Sequence, residues 1–133
     1  MRRKLAQKIK KNSKQIVKEA IQAVPSINVE EALVLVGSKN HLFADLRDGP
    51  EQEKTGRIPG SLSSSRGMME FHIDPESPVH KPDFNQDKTF IFYCATGGRS
   101  AIAAKVAIEM GLYPVVNMSG GFVAWKKAGG PFE

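Results

Sequence analysis

At 133 residues the chain is long enough for one domain with a real core and too short for a tandem pair. Its lone cysteine excludes an intramolecular disulfide. Its three scattered histidines, His41, His72 and His80, form no metal-ligand cluster, and its longest apolar runs are far too short to cross a bilayer. The net charge of +5 is unevenly held: residues 1–20 carry eight Lys or Arg against Glu19 alone, or +7, which leaves the rest of the chain at −2.

That basic stretch, residues 1–25, reads as an amphipathic helical arm ahead of a domain over 26–133. Leu5, Ile9, Ile16, Ala20, Ile21 and Val24 recur at spacings of three, four and seven, lysines occupy the other faces, and Pro25 closes the segment. Three uses are open to it: docking of its C-terminal half on the domain with a solvated basic tip, contact with a membrane surface or nucleic acid, and service as a transit peptide. Docking is the expectation. The arm is poor in serine, arginine is a minority of its charges, and no aromatic precedes Phe43, so base stacking has no support and no nucleic-acid partner is expected.

Beyond the arm, strand and helix patterns alternate. Asn28 and Glu31 have capping-box spacing ahead of Ala32, Leu33, Leu35 and Val36, which predicts a helix. Residues 42–46 read as a buried strand ending beside Asp45 and Arg47. Residues 48–54 are charged and predict a loop or short helix before a turn at Pro59-Gly60, residues 61–66 are ambiguous, and residues 74–88, with three prolines, predict an irregular surface excursion. The run Thr89-Phe90-Ile91-Phe92-Tyr93 is a strand, residues 100–110 are an alanine-rich helix ending at Gly111, and residues 114–117 are a last short strand. Gly120-Gly121 then admits a final short helix carrying Trp125, stopped by Gly129-Gly130-Pro131; Trp125 and the Met68-Met69-Glu70-Phe71-His72 run are read as packing residues, the run having an alternative place at a pocket entrance. Strands separated by helices imply a mostly parallel central sheet in a three-layer α/β/α fold, with the ligand site beyond the carboxyl ends of the strands.

Cys94 stands at such an end, between the 89–93 strand and Ala95-Thr96-Gly97-Gly98-Arg99-Ser100. A strand-to-helix corner can aim several backbone N–H groups at one point, and the helix start adds its positive dipole end. Both favour a thiolate over a thiol. The loop has no proline, so every N–H is kept, and Gly97 and Gly98 can adopt positive φ. Arg99 adds a permanent charge, either for a substrate or to tie the loop to Asp45 or another carboxylate.

Residues 94–99 resemble the six-residue Cys-x-x-Gly-x-Arg loop of single-domain rhodaneses. Phe43-Ala44-Asp45-Leu46-Arg47 is similar to that family's Asp-Val-Arg strand end, and Gly56-Arg57-Ile58-Pro59-Gly60-Ser61 to its Gly-His-Ile-Pro-Gly-Ala. Gly120-Gly121-Phe122-Val123-Ala124-Trp125 is similar to its closing Gly-Gly-x-x-x-Trp. The resemblance spans roughly residues 27–131. It implies a rhodanese-like α/β fold and a sulfurtransferase in which Cys94 carries a persulfide, residues 95–99 form the substrate-binding loop, and Asp45, Arg47 and Ser100 support it. It implies a small donor such as thiosulfate, a thiol, protein thiol or cyanide as acceptor, and no cofactor or metal. Ala95 departs from the basic residue that thiosulfate users often carry after the cysteine, which leaves the donor open. A persulfide carrier or regulatory module is an alternative, as is a cysteine-based phosphatase or arsenate reductase. The phosphatases' loop is one residue longer than the four residues between Cys94 and Arg99. The lone thiol suits a reducing compartment, so a soluble cytoplasmic protein is expected.

Overall fold

The computed structural model describes residues 6–133 and contains a five-stranded, wholly parallel sheet of order β1-β5-β4-β2-β3. The strands are β1 (Ser26–Ile27), β2 (His41–Asp45), β3 (Leu62–Ser63), β4 (Thr89–Tyr93) and β5 (Val115–Met118). Helices cover both faces: α1 (Ser13–Ala23), α2 (Val29–Leu33), α3 (Gly49–Thr55), α4 (Met69–Ile73), α5 (Gly98–Met110) and α6 (Gly121–Lys127), with a 3₁₀ turn at Pro82–Phe84 inside the proline-rich excursion. The sequence predicts β2 one residue late and omits β1, β3 and α4, which are too short to show a period.

β4 is central because its residues are apolar on both faces, as a parallel strand covered twice must be. Phe90 and Phe92 turn to one side and meet Ala44, Val115, Phe84, Met69 and the small residues Ala103, Ala104 and Ala107 of α5. Ile91 and Tyr93 turn to the other and meet Phe43, Val29, Ala32, Met118, Phe122 and Trp125. Trp125 is fully buried, stands edge-on to Phe43 at 5.6 Å between centroids and donates from Nε1 to the Pro131 carbonyl at 2.8 Å. A Cβ on Gly130 would come within 2.4 Å of that indole, so this glycine does more than stop α6: it lets the tail close over the tryptophan.

Two helix starts differ from the sequence reading. α1 begins at Ser13, where the Asn12 side chain accepts from the Gln15 N–H at 2.9 Å, and residues 6–12 ahead of it are not helical. It packs on α5 through Val17, Ala20 and Val24, whereas Ile9, Ile16 and Ile21 of the expected apolar face are exposed. Leu5 lies outside the described residues. α5 begins at Gly98, two residues early, which draws Arg99 into its first turn. At α2, the reciprocal capping bonds of Asn28 and Glu31 form as the spacing predicts, at 2.8 and 3.0 Å.

Candidate active site

The register aligns Asp45 with Tyr93 and Phe92 with Asn117, so the carboxyl ends of β2, β4 and β5 meet at one edge, and Cys94 follows β4 there. Its thiol is 1% exposed and faces the start of α5. The N–H of Gly97 donates to Sγ at 3.1 Å, that of Ser100 at 3.4 Å, and the Ser100 hydroxyl lies 3.4 Å away as a third donor. Burial pushes the thiol pKa up, but the donors from Ser100, Gly97 and Thr96 outweigh it and leave Cys94 below its ordinary value.

The loop can point its N–H groups inward because its carbonyls are held outside. The start of α6 supplies the grip: Phe122 N–H donates to the Cys94 carbonyl at 2.8 Å and Val123 N–H to that of Ala95 at 3.0 Å. This approach requires Gly121, whose φ is +62° and whose Cβ, if present, would lie 2.6 Å from the Cys94 and Ala95 backbones. Gly97, at φ +99°, turns the chain into α5. Gly98 does not take a positive φ; its missing side chain leaves room for Val17 of α1, 3.4 Å from where a Cβ would stand.

Asn117 is a site residue that the sequence reading misses. Its Nδ2 donates to the Gly97 carbonyl at 3.2 Å, which orients Oδ1 to accept from the Ser100 hydroxyl at 2.6 Å. The hydroxyl has one proton, so it serves either Asn117 or the sulfur at a given moment. The available signal is a buried amide at the end of an otherwise apolar strand, since such a group must find partners. The Ser100→Ala variant removes one of the donors that favour the thiolate. The inflection of its alkylation rate with pH is expected to move upward, with several-fold slower modification at neutral pH; iodoacetamide kinetics measured across pH check this.

Asp45 and Arg47 are both buried and bind each other. The Asp45 carboxylate accepts from Arg47 Nε at 3.0 Å and Nη2 at 2.8 Å, and from the Arg47 backbone N–H at 3.0 Å. Arg47 also donates to Thr55 Oγ1 at 2.7 Å and the Gly56 carbonyl at 2.8 Å, and its guanidinium lies 4.5 Å over the Phe122 ring. Burial works against the Arg47 charge, and the bonds to Asp45 more than offset it. The pair thus braces the end of α3 and the start of α6; it makes no hydrogen bond to Cys94. Tyr93 joins the brace by accepting from the Ile58 N–H and donating to Ser61 Oγ, both at 3.1 Å.

Arg99 is paired with neither Asp45 nor the sulfur. It forks onto Glu51 in the first turn of α3, with Nη1–Oε1 at 2.6 Å and Nη2–Oε2 at 2.9 Å. Those bonds hold the Glu51 carboxyl below the usual carboxylate range. Beside this pair a cleft of about 180 Å³ is lined by Glu51, Lys54, Ala95, Phe122, Val123 and Lys126. Met68 and Phe71 are exposed elsewhere and Met69 is in the core, so the methionine run does not form this entrance. Among the described residues no group of His, Cys, Asp and Glu is placed to hold a metal ion, and no helix is long and apolar enough to cross a membrane.

Fold and loop together define an α/β protein that seats a cysteine sulfur in a cradle of backbone N–H groups at the edge of a parallel sheet. Proteins of that class divide by what the cradle receives. This chain belongs to the rhodanese family: the model of the rhodanese-like domain matches residues 28–128. It is 28% identical to a sulfurtransferase of Allochromatium vinosum over 97 residues, 73% of this chain and 82% of that one. It is 30% identical to the chloroplastic thiosulfate sulfurtransferase 16 of Arabidopsis thaliana over 110 residues, 80% of this chain and 88% of that one. A solved structure from Rhodopseudomonas palustris, of a protein of unknown function described as a possible tyrosine phosphatase, superposes with a TM-score of 0.93. It is 47% identical and covers 98% of this chain and 100% of its own.

Proposed function

We propose that the protein moves a sulfane sulfur from a small anionic donor such as thiosulfate to a thiol or cyanide, through a persulfide on Cys94. The observation that carries this reading is the ring of donors on Sγ, from Gly97 N–H and from the N–H and hydroxyl of Ser100. Such a ring stabilises a sulfur anion whether it belongs to the thiolate or to the persulfide. In the first half-reaction the thiolate attacks the outer sulfur of thiosulfate, a new S–S bond forms, and sulfite leaves with the electron pair of the broken bond. In the second, an acceptor nucleophile attacks the outer sulfur and the Cys94 thiolate leaves; with cyanide the product is thiocyanate. No second cysteine can resolve the persulfide, so the acceptor comes from outside, as a small thiol or a protein thiol. A free thiolate of this kind suits a reducing compartment such as the cytoplasm. Residues 1–25 are read as an arm attached to the catalytic domain of residues 26–133.

The test is thiocyanate formation from cyanide with thiosulfate and with 3-mercaptopyruvate, together with the mass of the protein after donor alone. Turnover and a gain of one sulfur atom on Cys94 are expected. Sulfur gain without turnover would instead make the protein a carrier with a dedicated protein acceptor, and absence of both would end the sulfur reading. The Rhodopseudomonas description raises phosphate ester hydrolysis as the rival. Only four residues separate Cys94 from Arg99, which favours a ring around one sulfur atom over one around a tetrahedral phosphate, and no hydrolysis of an aryl phosphate is expected.

A further inference from the structure

Arg99 stands in an unusual place for a cation. The first turn of a helix carries the positive end of the macrodipole, so an arginine there is unfavourable for α5 itself. It is held by a carboxylate 48 positions away in sequence, through both arms of its fork. The partner is Glu51, which also lines the cleft where Ala95, the first loop residue after the thiol, is accessible. Ala95 brings no charge to that cleft; of the cations that line it, Arg47 is held by Asp45, the Lys126 ammonium is engaged by the Thr55 carbonyl and the Phe132 ring at 4.2 Å, and Lys54 stands on α3 beside Glu51.

We propose that Glu51 is an internal occupant of the anion seat on Arg99 and sets the specificity of the site: an anionic donor must displace the Glu51 carboxylate, whereas a neutral reagent reaches Cys94 without doing so. The inference rests on the sulfurtransferase reading only for the identity of the anion. A carboxylate and a sulfonate-type group both offer two oxygens to a planar fork, so one can replace the other without rearranging the guanidinium. Glu51 and Arg99 are 38% and 42% exposed, so water can replace each contact as the carboxylate swings away. An exchange of this kind modulates affinity and does not shut the site.

The experiment compares alkylation of Cys94 in the full chain by iodoacetate, an anion, and iodoacetamide, its neutral counterpart, at one pH and low ionic strength. In Glu51→Gln the ratio of the two rates is expected to rise about two- to fivefold, with the iodoacetamide rate as internal control. The same substitution on an Arg99→Gln background is expected to give little or no rise, because the seat is gone. A ratio unchanged in Glu51→Gln overturns the proposal, and so does an equal rise in both backgrounds, which would assign the effect to removal of a negative charge from the cleft. With thiosulfate, Glu51→Gln is expected to lower KM by a similar factor. Absence of thiosulfate turnover with the coupled alkylation effect intact would refute the donor and keep the seat; normal turnover with no coupling would do the reverse.

Discussion

The Cys94→Ser variant is expected to lose sulfur transfer by about a thousandfold or more while keeping its thermal stability within about 1 kcal/mol of the parent. Serine occupies nearly the same space, and its hydroxyl can accept from the same Gly97 and Ser100 N–H groups that now surround Sγ. The cradle is therefore satisfied. The chemistry is not, because a hydroxyl is not ionised near neutral pH and forms no stable bond to a sulfane sulfur. Thiocyanate formation, the mass after donor and thermal unfolding by circular dichroism measure the three parts of this expectation. Transfer retained above a tenth of the parent rate would remove Cys94 from the mechanism.

The second large effect is on stability. Asp45→Ala strips Arg47 of its carboxylate while leaving the guanidinium 2% exposed, with Thr55 and Gly56 as its remaining acceptors. Removing one member of a buried ion pair costs about 3–5 kcal/mol, because the remaining charge stays desolvated and unpaired. For a domain of this size the melting temperature should fall by about 10 °C or more. The double variant Asp45→Leu/Arg47→Met leaves no orphaned charge, and a smaller loss than in Asp45→Ala alone is expected. Equal losses in the two would mean that the uncompensated charge costs no more than the bonds to Thr55 and Gly56 that only the double variant gives up. A functional effect should accompany the loss, since Arg47 lies over Phe122, whose N–H holds the Cys94 carbonyl.

What was legible in the sequence is what local forces decide. The β4 run is aromatic or aliphatic at every position after Thr89, α5 carries alanines at helical spacing up to Gly111, and the Cys94 loop lies between them with Gly97 to make the turn, so strand, corner and helix can be read from about twenty consecutive residues. The start of α1 is missed by the sequence reading, which carries the apolar pattern upstream past Asn12, the residue that caps the helix through the Gln15 N–H. Ile9 shows why that pattern misled: it recurs at the right interval but, 74% exposed, has no surface to meet.

Sequence by itself determined the fold class, the placing of Cys94 at the carboxyl end of a strand and the loop that surrounds it, because each follows from neighbours in the chain. Tertiary structure alone decided the partners of that loop. Asn117 reaches Ser100 only through the register of β5 against β4, and Glu51 reaches Arg99 only through the way α3 leaves β2. β1 and β3, two residues each, exist as strands only because β5 and β2 offer them unpaired edges. Gly121 presses on the Cys94 carbonyl because α6 returns across the sheet edge to it. Each of these contacts joins segments far apart in the chain, and propensity and periodicity carry no information about which distant groups the folded sheet brings together.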